Sequence, residues 1–136
     1  STDVLIIGGG PSGLATAIHL ADLLKSAGLE RRILLIEKGA SVGSHILSGA
    51  VIKTDVFTFL KSCAGTFDII FADPPFKLEN IARIPTLVFE RKLLADNGIL
   101  IVEHPSDVTF NELPLQKETR EYGTVNFSIF NQQQPA

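Results

Sequence analysis

"DVLIIGGGPSG", residues 3–13, carries an apolar stretch straight into a cluster of glycines. Val4 to Ile7 show no polar alternation, the pattern of a strand buried on both faces. Gly8, Gly10 and Gly13 match G-x-G-x-x-G at the point where such a strand would give way to a helix. Each glycine meets a separate physical need. Gly8 permits the tight turn, Gly10 lets a pyrophosphate approach the backbone, and Gly13 lets helix and strand pack closely. Leu14, Ala17, Ile18, Ala21 and Leu24 then recur at helical spacing, which predicts a helix over 12–27 with Gly28 at its C-cap. Its free N–H groups and partial positive charge would face a phosphate.

Working outward, "RILLIE" (32–37) is a second buried strand, and a crossover of this length makes the two strands parallel and right-handed. Glu37 ends it, where an acid accepts hydrogen bonds from a ribose diol and repels a 2′-phosphate. The bland alternative is a glycine turn with a solvated Glu37. "AVIK" (50–53) reads as a third strand and "DVFTFLKS" (55–62) as a short helix with Asp55 at its N-cap. "FDIIFAD" (67–73) is a fourth strand. Pro85 suits the first position of a helix running to about Leu94. Asp96-Asn97-Gly98 turns the chain into a fifth strand, "GILIVEH". "LQKETREY" and "TVNFSIF", around Gly123, predict an antiparallel hairpin. Alternating strands and helices closed by a hairpin give a three-layer, doubly wound, Rossmann-like α/β fold with a mostly parallel sheet. The expectation is one domain spanning 1–136.

The fourth strand ends in Asp73-Pro74-Pro75-Phe76, which is unusual for a turn. The Asp73 carboxylate accepts from an amine, the prolines stiffen the backbone and offer carbonyls without competing N–H groups, and Phe76 adds an apolar face for a planar ring. That set suits the exocyclic amino group of a flat base. A strand-ending turn with Asp73 as a local cap is the even-weighted alternative.

Composition bounds the function. The 136 residues are 45% hydrophobic and 20% charged, enough for one globular core. The net charge of −3 gives no bulk basic face, so unaided RNA binding is doubtful. No apolar run is long enough to span a membrane. A single cysteine, Cys63, excludes an internal disulfide and fits a reducing cytoplasm. Cys63 reads as a packed or half-buried thiol, and His19 and His45, which lack metal-ligand spacing, as surface or helix-face histidines.

Residues 3–52 resemble the FAD-binding start of electron-transfer-flavoprotein:ubiquinone oxidoreductases, most closely in "EKGASVGSHILSGAV". That resemblance implies FAD held by Gly8, Gly10, Pro11, Ser12, Gly13, Glu37 and Lys38. Residues 51–130 resemble the C-terminal part of bacterial ribosomal-RNA guanine-N2 methyltransferases. This second resemblance implies S-adenosylmethionine as methyl donor, with Asp55 and Val56 at its adenine. It further implies Asp73, Pro74, Pro75 and Phe76 around the target guanine, and a seven-stranded order 3-2-1-4-5-7-6 with the last strand antiparallel. Glu103, His104, Arg120, Tyr122 and Gly123 follow the same pattern, although loop and turn chemistry is the preferred reading of His104. The resemblances meet near 49–54, dividing the chain into a 1–52 FAD-type half and a 53–136 methyltransferase-type half. An engineered chimera with weak adenine-nucleotide binding and no turnover is the expected product. A ribosomal-RNA methyltransferase and a minimal FAD-binding module are the alternatives.

Overall fold

The computed structural model describes residues 3–8, 11–28, 32–37, 49–75, 77–110 and 116–131. The apolar runs become β1 (Asp3–Ile7), β2 (Arg32–Glu37), β3 (Gly49–Lys53), β4 (Phe67–Ala72) and β5 (Leu94–Pro105), followed by β6 (Gln116–Tyr122) and β7 (Val125–Asn131). Three helices join them: α1 (Pro11–Ser26), α2 (Val56–Ser62) and α3 (Arg83–Glu90). All seven strands form one sheet in the order β3-β2-β1-β4-β5-β7-β6, the order expected. β7 alone runs against its neighbours β5 and β6. The strands β2, β1, β4 and β5 are therefore adjacent at the centre, in parallel register through Val4↔Ile33, Val4↔Ile69 and Ile69↔Ile99.

Period-two alternation sends the side chains of each strand to two unlike faces. Leu5, Ile7, Ile70, Ala72, Leu100, Val102 and Phe130 face α2 and α3, packing with Leu60, Ile84 and Val88 into the main core. Phe130 is its aromatic centre, with Phe110 and Phe89 set edge-on at 5.5 and 6.1 Å. Val4, Ile6, Ile33 and Leu35 face the other way into a smaller cluster with Leu20 of α1. On that side Ile69, Phe71, Ile99 and Ile101 remain only partly buried. β1 is thus buried on both faces as expected and β2 nearly so, whereas β4 and β5 are less covered on this side because α1 packs on β1 and β2.

Helix ends follow local chemistry. Asp55 caps α2, its Oδ2 accepting from the Thr58 N–H at 3.1 Å. Gly28 lies just past α1 at φ +68° and donates to the Lys25 carbonyl, a left-handed stop. Two boundaries differ from expectation. α3 begins at Arg83, two residues before Pro85, and Pro85 is still tolerated because first-turn N–H groups have no helical partner. α3 stops at Glu90 because Lys92 turns left-handed (φ 53°). There Lys92 and Leu93 donate back to the Phe89 and Val88 carbonyls in a Schellman arrangement. β5 correspondingly starts at Leu94 rather than after Asp96-Asn97-Gly98, and the expected turn is absorbed as an irregularity between the pairs Phe67↔Leu94 and Ile69↔Ile99. Asn97 (φ 62°) takes its strained backbone.

Lysine at a left-handed cap carries a steric cost that glycine avoids. Lys92→Gly is expected to stabilise the fold by about 0.5–1 kcal/mol after the entropy glycine gains in the unfolded chain. Urea denaturation should show this as a higher midpoint at unchanged slope.

Candidate functional site

The carboxyl ends of the parallel strands meet on one edge, and backbone hydrogen bonds hold them there. Gly8 donates to the Ile36 carbonyl at 2.8 Å, tying β1 to β2. Asp73 donates to the Ile7 carbonyl at 2.7 Å, tying β4 to β1. Gly8 adopts φ +101°, and a Cβ placed on it would collide with the Asp73 backbone carbonyl. Glycine is therefore required at this position twice over, for its own turn and for the approach of the β4 tip.

That edge opens into a cleft of about 70 Å³ lined by Ile7, Gly8, Ile36, Thr54, Asp55, Val56, Pro74, Pro75 and Leu78. The lining is mainly apolar, and Asp55 supplies the one carboxylate among the described residues. Pro74 is buried and Pro75 exposed, so the first proline anchors the β4 tip while the second faces outward. The Pro75 carbonyl accepts from the Leu78 N–H at 2.8 Å, which closes a turn and leaves a single lone pair for any other donor. The Asp55 carboxylate also serves the local fold. Its Oδ2 takes the Thr58 N–H and hydroxyl, at 3.1 and 3.3 Å, so the capping bonds fall on that oxygen and not on Oδ1. An apolar slot with an acceptor at its rim can take the flat face of a purine and its amino group.

Of the residues singled out in the sequence, the structure brings Gly8, Asp55, Val56, Asp73, Pro74 and Pro75 to this edge, with Pro11, Ser12 and Gly13 forming the first turn of α1 and Glu37 closing β2. Gly10, Lys38 and Phe76 lie outside the described residues, as do His45 and the side chains of Pro11, Ser12 and Glu37. His104 departs from the turn reading. It lies inside β5 and is 2% exposed. Its Nδ1 donates to the Pro105 carbonyl at 2.9 Å, and its Nε2 lies 2.7 Å from the Ser128 hydroxyl. Ser128 Oγ lies 3.1 Å from Thr119 Oγ1, so a polar chain crosses β5, β7 and β6. Phe110 stacks edge-on against His104 at 4.8 Å. The sequence signal was the serine at an inward position of β7, legible only once β7 is known to pair with β5. On the exposed end of β6, Glu118 holds Arg120 through two hydrogen bonds of 3.2 Å, raising the guanidinium pKa above its ordinary value. Among the described residues no cluster of three or more His, Cys, Asp or Glu could hold a metal. No helix among them is long and apolar enough to cross a membrane.

A doubly wound sheet with a cleft at its carboxyl edge, where the strand order reverses beside β1, defines a Rossmann-like α/β protein. Residues 38–131, more than half of the chain, match the family model described as "Conserved hypothetical protein 95", and the chain belongs to that family. Residues 3–62 match a second model, "FAD dependent oxidoreductase". The two overlap over 38–62, a span that contains the expected meeting point at 49–54. The chain is 61% identical over 49 residues to the mitochondrial electron transfer flavoprotein-ubiquinone oxidoreductase of Dictyostelium discoideum, covering 36% of this chain and 8% of that protein. It is 38% identical over 105 residues to the Caenorhabditis elegans counterpart, covering 74% of this chain and 18% of that protein. The chain thus spans less than a fifth of these relatives. Its fold is similar to that of Escherichia coli yhhF, a proposed methyltransferase (TM-score 0.74, 18% identity, 96% of this chain and 75% of that one). Segments matching two different family models are thus present in one sheet.

Two substitutions test the geometry. Gly8→Ala is expected to cost about 2–5 kcal/mol from left-handed strain and collision with Asp73. Asp55→Ala should cost about 1 kcal/mol, while Asp55→Asn, also a good cap, should change stability by only a few tenths. Thermal and chemical denaturation read both.

Proposed function

We propose that this chain is an engineered, single-domain fusion of a flavoprotein-type first half with a methyltransferase-type second half. In this reading its carboxyl-edge cleft binds an adenine nucleotide weakly and does not turn it over. The observation that carries the reading is the composition of the cleft. Gly8 and Ile36 come from the segment matching the FAD dependent oxidoreductase model, and Pro74, Pro75 and Leu78 come from the segment matching the Conserved hypothetical protein 95 model. Two doubly wound parents place an adenosine at the same strand tips, so exchanging halves preserves the place of the site.

The residues have distinct roles in this proposal. The glycines 8, 10 and 13 and the start of α1 would take the pyrophosphate of FAD, with Pro11 and Ser12 in the same loop. Glu37 would hold the adenosine ribose, with Lys38 beside it. Asp55, through Oδ1, and Val56 would meet the adenine edge and face. FAD would supply redox chemistry when bound, and this chain's residues do no more than orient its adenosine half. The same residues would receive S-adenosylmethionine less well, because a pyrophosphate loop faces a ligand with a sulfonium and an amino acid in place of phosphates. Displacements of about an ångström cost on the order of a hundredfold in rate, which is the basis for expecting no turnover.

A second reading, a S-adenosylmethionine-dependent methyltransferase acting on ribosomal-RNA guanine, is favoured by the Asp73-Pro74-Pro75 tip itself. Its backbone is hydrogen-bonded to β1 directly beside the cleft. Asp73 and Phe76 would then hold the base amine and ring.

Melting scans with FAD, NAD and S-adenosylmethionine at equal concentration test the first reading. A ligand at a hundred times its Kd adds about 2.7 kcal/mol, a shift of roughly 6–10 °C in a domain of this size. The larger shift is expected with FAD, and it should be lost in Gly10→Val and reduced in Glu37→Ala. A larger shift with S-adenosylmethionine, insensitive to Gly10→Val, would transfer the site to the second reading. Labelled-methyl incorporation into unmethylated small ribosomal subunits is expected to be absent. Incorporation abolished by Asp73→Ala would overturn the no-turnover assignment.

A further inference from the structure

We draw no further inference here: the strongest candidate, the partly open apolar face that Ile69, Phe71 and Ile101 form on β4 and β5 beside α1, carries none because nothing in the structure shows what covers it.

Discussion

The structure depends on the parallel pairing of β1 with β4. Val4, Leu5, Ile6 and Ile7 meet Ile69, Ile70, Phe71 and Ala72 in register, and the ladder closes at its upper end with the Asp73 N–H on the Ile7 carbonyl. This is where the segments matching the two family models join side by side in the sheet. Because side chains alternate between faces, a slip of one residue would send Leu5 and Ile7 away from the main core and bring Val4 and Ile6 into it. The register is thus held by burial on the α3 side, where Leu5 and Ile7 pack with Ile70, Ala72 and Leu100.

The site follows from that pairing. Once β1 and β4 end level, Gly8 and Asp73 must lie against each other, and only glycine leaves room for the Asp73 carbonyl. The cleft then needs only Asp55 and Val56, delivered by the capped start of α2, to gain its remaining wall. Asp55 links local folding to the site directly, since the oxygen that caps the helix fixes the direction of the carboxylate. The same pairing explains the weaker side of the molecule. α1 is anchored on β1 and β2, so Ile69, Phe71 and Ile101 on the strands beyond β1 stay partly open.

Much of this was legible in the residues. Val4–Ile7, Ile33–Ile36 and Leu100–Val102 read as strands because unbroken apolar runs of that length have few other uses, and Gly123 between two alternating runs announced the hairpin. The glycine loop and the Asp73-Pro74-Pro75 tip were recognisable as separate motifs, but their contact was not, because it depends on which strands become neighbours. Boundaries failed where local signals are permissive. Pro85 fits any position of a first turn, and Asp96-Asn97-Gly98 can turn a chain or bulge a strand. The His104–Ser128–Thr119 chain was hidden because its members lie on three strands. The partial exposure of Ile69 and Ile101 was hidden too, since a strand's composition does not state what covers it.

The most direct test of a single sheet joined through β1 and β4 is native-state hydrogen exchange of the amides on either side of the pairing. Leu5, Ile6 and Ile7 are to be compared with Ile70, Phe71 and Leu100 under increasing denaturant. Both groups are expected to open with one common free energy and one denaturant slope, as a cooperative unit does. Exchange of the β1 amides at a distinctly lower free energy, with β4 and β5 still protected, would contradict the single sheet and show two segments that fold separately.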